Sequence, residues 1–124
     1  MAEKQQVVLG LDLGGTKLLA AVVDRTGHVL DKEKLRTATT NEDDIVTQII
    51  SVVETLRTRH AGKGTDILAV GIGVPGVVDV EGSRIIATAN LPMDDVDLGR
   101  RISEACGLPI IVGNDVTLAT MGEA

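Results

Sequence analysis

The chain contains no phenylalanine, tyrosine or tryptophan. Its core must be built from Val, Ile, Leu and Ala, which suits parallel strands packed under helices. No aromatic platform exists on which single-stranded nucleic acid could stack its bases. Positive charge is also short: 12 Lys and Arg against 18 Asp and Glu leave a formal charge of −6. The clustered cations that DNA or RNA backbones require are missing, so no nucleic-acid partner is expected. A single cysteine, Cys106, excludes a disulfide within these residues and points to a reducing compartment, with the thiol as a small buried side chain on a helix. The longest apolar stretch, residues 67–78, is too short to span a bilayer and contains Pro75, so no membrane partner is expected. Residues 3–6 are polar and the apolar run after them meets Asp12, so no signal peptide is read and a cytoplasmic location is expected.

What remains is an aliphatic chain of 124 residues, 44% hydrophobic, one domain by length and large enough to bury a core. Three strands are expected first, over residues 7–13, 17–23 and 28–36, with a turn at 24–27. The third carries Asp31, Lys32, Glu33 and Lys34, charges that suit a sheet edge. Thr40 or Asn41 then caps a helix. Glu42, Asp43 and Asp44 complement its dipole, and Ile45, Ile49, Val52, Val53 and Leu56 form one apolar stripe. Arg57, Arg59, His60 and Gly62 end it, with His60, like His28 at its turn, expected to be solvated. A strand over 66–74 ends in the turn Pro75-Gly76, and a short strand is expected at 84–87. A helix over 98–106 is closed by Gly107, followed by a strand at 109–113 and a last helix from near Asp115. Residues 7–15 are echoed by 68–76, Gly10 matching Gly71 and Gly15 matching Gly76, which predicts two central strands with turns at one sheet edge. The order β-β-β-α-β-α-β-α predicts an α/β fold with a mixed sheet. Ligands of such sheets bind beyond the carboxyl ends of parallel strands, where Gly14-Gly15-Thr16, Val74-Pro75-Gly76 and Asn114-Asp115 would meet.

Two places carry chemistry. Asp12 interrupts the run Val7, Val8, Leu9, Leu11, Leu13. A buried carboxylate costs several kcal/mol unless paired, so a partner is implied. Mg²⁺ suits it, because that ion takes one carboxylate and keeps its waters and phosphate ligands. Gly14 and Gly15 are expected to use positive φ and let a ligand approach backbone N–H groups, with the Thr16 hydroxyl beside them. The same residues read equally as an ordinary hairpin with a glycine turn. A Walker loop is excluded by spacing, and strand residues follow the glycines where a helix should start. Asn114-Asp115 is the second place. It reads as a helix cap with an acid in the first turn, or as a carboxylate that accepts a proton from a substrate hydroxyl beside an orienting amide.

Leu-Asp-Leu-Gly-Gly-Thr-Lys (11–17), Gly-Ile-Gly-Val-Pro-Gly-Val-Val-Asp (71–79), Ala-Asn-Leu-Pro (89–92) and Gly-Leu-Pro-Ile-Ile-Val-Gly-Asn-Asp (107–115), followed by Gly122-Glu123, together resemble the ROK family of bacterial glucokinase-type sugar kinases and sugar-responsive repressors. The resemblance covers the chain in order. It implies one lobe of the ribonuclease-H-like, actin/hexokinase-type ATPase fold and ATP-dependent phosphorylation of a glucose-like hexose at its 6-hydroxyl. It places Asp12, Gly14, Gly15 and Thr16 at the Mg²⁺-ATP phosphates, with Asp12 holding Mg²⁺ through water. Lys17 either reaches a phosphate or is an exposed strand lysine. The resemblance makes Asn114 a sugar ligand and Asp115 the general base, and sets Gly76 and Asn90 beside the sugar. It further implies a homo-oligomer at full length.

The chain departs from the family where Pro92, Met93, Asp94 and Asp95 replace a Trp-bearing segment, where Gly113 replaces Glu, and where Val116, Thr117 and Leu118 replace Asn and Ala. These changes touch the sugar side and leave the phosphate and base positions intact. Family members continue into a second lobe with the base pocket, further Glu and His sugar ligands and a Cys/His zinc motif. Residues 1–124 are therefore expected to be the N-terminal lobe. Two alternatives stand beside the kinase. One is a sugar-sensing regulator, disfavoured because six residues before the first strand leave no room for a helix-turn-helix. The other is a truncated binding module that pairs with another chain.

Overall fold

The computed structural model describes residues 5–38, 41–61, 64–79, 84–88, 91–93 and 95–114, with the backbone alone at Asn114. Seven strands and two helices follow in the order β1 (Gln5–Leu13), β2 (Lys17–Asp24), β3 (Val29–Arg36), α1 (Glu42–Ala61), β4 (Thr65–Val74), β5 (Gly76–Val78), β6 (Ile85–Thr88), α2 (Leu98–Cys106) and β7 (Ile110–Asn114). Five strands make one mixed sheet in the order β3-β2-β1-β4-β7. The meander β1-β2-β3 is antiparallel, and β1, β4 and β7 run parallel. β3 is an edge strand, as its charges predict. The internal echo of the sequence is the parallel register itself: Gly10 lies opposite Gly71, between the pairs Leu9–Val70 and Leu11–Ile72. The last expected helix, from Asp115, falls outside the described residues.

Strand alternation sends Val7, Leu9, Leu11 and Leu13 to one face, joined there by Leu18, Val22, Ile72 and Val112. Both helices cover that face. The expected stripe of α1 is buried in full, with Val46 added, and Ile102 and Leu98 of α2 complete one continuous core. Asn41 caps α1 by accepting from the Asp44 N–H at 2.8 Å, and Asp97 caps α2 through the Arg100 N–H at 3.2 Å. Gly107 closes α2 with φ of 71°. Arg101 of α2 joins the helices through Glu42 and Asp43 in the first turn of α1, each at 2.8 Å.

Three expectations change. His60 is buried, 7% exposed, with Nε2 3.0 Å from Asp31 Oδ2. The cause is register: Asp31 lies opposite Val22 and Glu33 opposite Ala20, so both acids face α1 instead of solvent. Arg59 bonds both. The Arg59 guanidinium, with His60, holds the Asp31 carboxyl down at about 2. Second, Pro75-Gly76 is not a plain turn. Gly76 opens β5, which pairs with β6 in a small separate sheet. Third, the positive-φ glycines among the described residues are Gly27, Gly64 and Gly107, not Gly14 and Gly15. Cys106 is buried as expected, and burial followed by the nearby Glu54 pushes its thiol up, so it stays protonated and inert. No helix among the described residues is long and apolar enough to cross a membrane.

Candidate functional site

Because β1, β4 and β7 are adjacent and parallel, their carboxyl ends open at one edge of the sheet. Leu13 leads there into Gly14, Val74 into Pro75 and Gly76, and Asn114 is the last residue of β7. Asp12 stands one residue short of that edge. It is exposed, which corrects the expectation of a buried acid. Leu11 and Leu13 point into the core, so Asp12 between them must point to the opposite face of the sheet. Val8 shares that outer face and makes the sequence look continuously apolar. No partner is needed to offset burial. The Asp12 carboxylate has no hydrogen bond or ion pair to any other described residue.

The floor beside Asp12 is bare. Across the sheet the register reads Asp12, Gly73, Gly113, and one step back Gly10, Gly71, Ile111. Glycines leave no side chain between the carboxylate and the strands next to it. A trough of about 930 Å³ covers this outer face, lined by Val8, Gly10, Asp12, Leu19, Gly71 and Ile111 among others. Lys17, Lys32 and Lys34 lie exposed on the same face of β2 and β3, the last opposite Leu19, which itself lies opposite Asp12. An acidic chain thus presents a local group of cations near the exposed carboxylate of Asp12. The exposure of Lys17 fits both of its sequence readings.

The glycine turn is held from below. Gly14 N–H donates to the Lys17 carbonyl at 2.9 Å, and a Cβ on Gly14 would stand 3.2 Å from that oxygen. Space, not left-handed backbone, is what glycine supplies there. The N–H groups of Gly15 and Thr16 have no acceptor among the described residues. Thr37, 5% exposed, donates its hydroxyl to the Gly14 carbonyl at 2.7 Å and its N–H to the Thr16 carbonyl at 2.9 Å. Gln48 on α1 brackets Thr37, accepting from Ala38 N–H at 2.9 Å and donating to the Arg36 carbonyl at 2.7 Å. Neither residue was singled out by sequence. The available signal is Gln48 itself, a polar residue three after Ile45 and four before Val52 on the apolar stripe.

Gly76 is a point of contact between backbones: an added Cβ would stand 2.1 Å from the Ala87 carbonyl oxygen. Asn114 is brought to the shared edge by its backbone, opposite Val74. Asn90 and Asp115 lie outside the described residues. Among the described residues no three His, Cys, Asp or Glu side chains gather to hold a metal. Among the described residues the donor set at the turn is therefore the Asp12 carboxylate and backbone N–H groups. That set fits Mg²⁺ arriving with phosphate ligands and water, and does not fit a metal caged by protein alone.

This arrangement recurs in known proteins. Glucokinase of Streptomyces coelicolor is 38% identical over 117 residues, which cover 94% of this chain and 35% of that protein. The crystal structure of a ROK family glucokinase from Streptomyces griseus, in complex with glucose and AMPPNP, superposes with a TM-score of 0.81 at 34% identity, over 94% of this chain and 36% of the other. A ROK family transcriptional regulator, a homologue of the E. coli MLC protein, superposes with a TM-score of 0.82 at 25% identity, over 90% of this chain and 28% of the other. The chain spans about a third of the length of the curated glucokinases it matches. Its mixed α/β sheet is that of the ROK sugar kinases, of actin/hexokinase type. The ROK family profile matches residues 8–124, from the second valine of β1 through all four sequence motifs. The chain belongs to the ROK family.

Proposed function

We propose that residues 1–124 form the N-terminal lobe of an ATP-dependent sugar kinase that phosphorylates a glucose-like hexose at its 6-hydroxyl. The observation that carries this is Asp12, its carboxylate exposed and without a partner among the described residues, beside a glycine turn at the ends of three parallel strands. In this reading the N–H groups of Gly15 and Thr16 face the phosphates, Gly14 gives them room, and Lys17 adds charge from the same face. Bound ATP would supply the phosphoryl group and Mg²⁺ would neutralise its charge, with Asp12 the residue that would hold the ion through water. Asn114 orients the sugar and Asp115, the next residue, takes the proton from its hydroxyl, with Gly76 and Asn90 at the sugar's side. Phosphoryl transfer asks for positioning and charge stabilisation more than covalent chemistry, so this small set suffices on one wall of a cleft. The rest of the cleft belongs to a second lobe, and the setting is the cytoplasm.

The test is hexose phosphorylation with Mg²⁺-ATP by the gene product that carries this chain. Asp115→Asn should lower kcat by about 10²- to 10⁴-fold while sugar binding survives, because a base acts mainly in the transition state. A wild-type protein that phosphorylates no hexose would sink the reading. The match to a transcriptional regulator favours a second reading, a sugar sensor without turnover. Sugar binding by calorimetry with no phosphorylated product would select it.

A further inference from the structure

We infer that Thr37 is a positioning residue for the phosphate turn and that Gln48 sets Thr37. This rests on the reading of residues 14–16 as the phosphate-binding turn. A turn that receives an anion must present N–H groups and keep its carbonyl oxygens, which carry partial negative charge, turned away from the ligand. Here two carbonyls of the turn accept from one residue: Gly14 from the Thr37 hydroxyl and Thr16 from the Thr37 N–H. The Lys17 carbonyl accepts from Gly14 N–H. The N–H groups of Gly15 and Thr16 are left over among the described residues. The carbonyls of Gly14, Thr16 and Lys17 are spoken for and, among the described residues, the N–H groups of Gly15 and Thr16 are not, which is the polarity that an anion requires.

Thr37 follows an edge strand and has no covalent reason to stand still. Its place is fixed by the two bonds of Gln48, one to the residue before it and one to the residue after. An amide is suited to this task because it donates and accepts at once, whereas a glutamate would set a second acceptor against the Arg36 carbonyl. The path from α1 to the turn is therefore Gln48, the backbone of residues 36–38, the Thr37 hydroxyl and the Gly14 carbonyl. The bonds from Ala38 N–H to Gln48 and from Thr37 to the Gly14 carbonyl are part-buried, where a hydrogen bond constrains geometry more than on the open surface.

The experiment measures KM for Mg²⁺-ATP and for sugar separately, in the gene product that carries this chain, with Thr37→Val, Thr37→Ser and Gln48→Leu. Valine keeps the shape and loses the hydroxyl. It should raise KM for Mg²⁺-ATP about tenfold and leave KM for sugar within about twofold. Serine should restore the wild-type value, and Gln48→Leu should move KM for Mg²⁺-ATP the same way by about threefold. Should Thr37→Val fail to fold, the partly exposed Gln48→Leu variant decides alone: an unchanged KM for Mg²⁺-ATP overturns the inference. Equal losses for sugar and nucleotide also overturn it, since they mark a general structural role. A wild type that binds Mg²⁺-ATP while the Thr37→Val variant matches it refutes the positioning role and leaves the kinase reading intact. A wild type that binds no Mg²⁺-ATP by calorimetry refutes both.

Discussion

The two faces of the five-stranded sheet are made from the same strands and have opposite fates. Leu18 is fully buried beneath the helices, while its neighbour Leu19 is 41% exposed on the other side. The covered face is aliphatic at its centre, with Asp31 and Glu33 at the β3 edge, and holds the fold. The outer face mixes Val8, Leu19 and Ile111 with glycines, lysines and Asp12. A sheet buried on one face alone needs strict alternation, and β1 and β2 keep it for position but not for polarity. The outer face is more apolar than a solvated sheet face requires, with Val8, Leu19 and Ile111 all exposed. Its carboxyl end is also where backbone and Asp12 are left accessible. Stability is concentrated on one side of the sheet, and the proposed phosphate site lies toward the other.

The sharpest way to break this comparison is to truncate the two adjacent leucines. Leu18→Ala should cost about 3 kcal/mol as a core cavity, and Leu19→Ala less than about 1 kcal/mol, read from urea midpoints of the chain. Equal costs would mean that the outer face is covered in the isolated chain. Glycines give a second contrast. Gly76→Ala should cost about 2 kcal/mol, because its Cβ meets the Ala87 carbonyl oxygen at 2.1 Å and β5 must separate from β6. Gly10→Ala, with nothing within 4 Å on the open face, should change stability by less than about 0.5 kcal/mol. The last contrast lies at the edge. Asp31→Asn should cost about 1 kcal/mol, since it loses the charge that pairs with Arg59 and His60. The Asp31 carboxyl is held down at about 2 from an ordinary 3.8. Its contribution is therefore full above pH 4 and lost as pH falls through 2. Acid titration of wild type and variant should converge in that window and differ above it.

Much of this was legible in residues. The strand runs, the α1 stripe and the Gly107 stop carry local physics, and each stands where its pattern sets it. The Gly10–Gly71 echo even carried the register of two strands far apart in sequence. What escaped depends on partners that sequence does not name. Asp12 looked buried because Val8 is apolar on the outer face, and only the pairing of β1 with β2 and β4 shows which side is covered. His60 looked solvated because its acid sits on β3, brought near by a bulge between Val22 and Val23. β5 was hidden by Pro75-Gly76, a pair whose turn chemistry outweighs three strand residues. Thr37 and Gln48 act through hydrogen bonds between separate elements, which no local pattern records. Asn90 and Asp115, and the side chain of Asn114, rest on the family resemblance.

The position of β1 at the middle of the sheet also has a history in time. Its first edge is taken by β2 within a tight hairpin, but its second edge waits for β4, with Val8 paired to Ala69 about sixty residues later. At a synthesis rate of about 5–20 residues per second, that edge emerges from the ribosome several seconds before its mate. During the interval a Val- and Leu-rich strand has an open row of N–H and C=O groups, the template on which chains pair wrongly. The nascent protein is most vulnerable to aggregation after β3 has been made and before β4 has. A chaperone or a slow codon would act there to greatest effect.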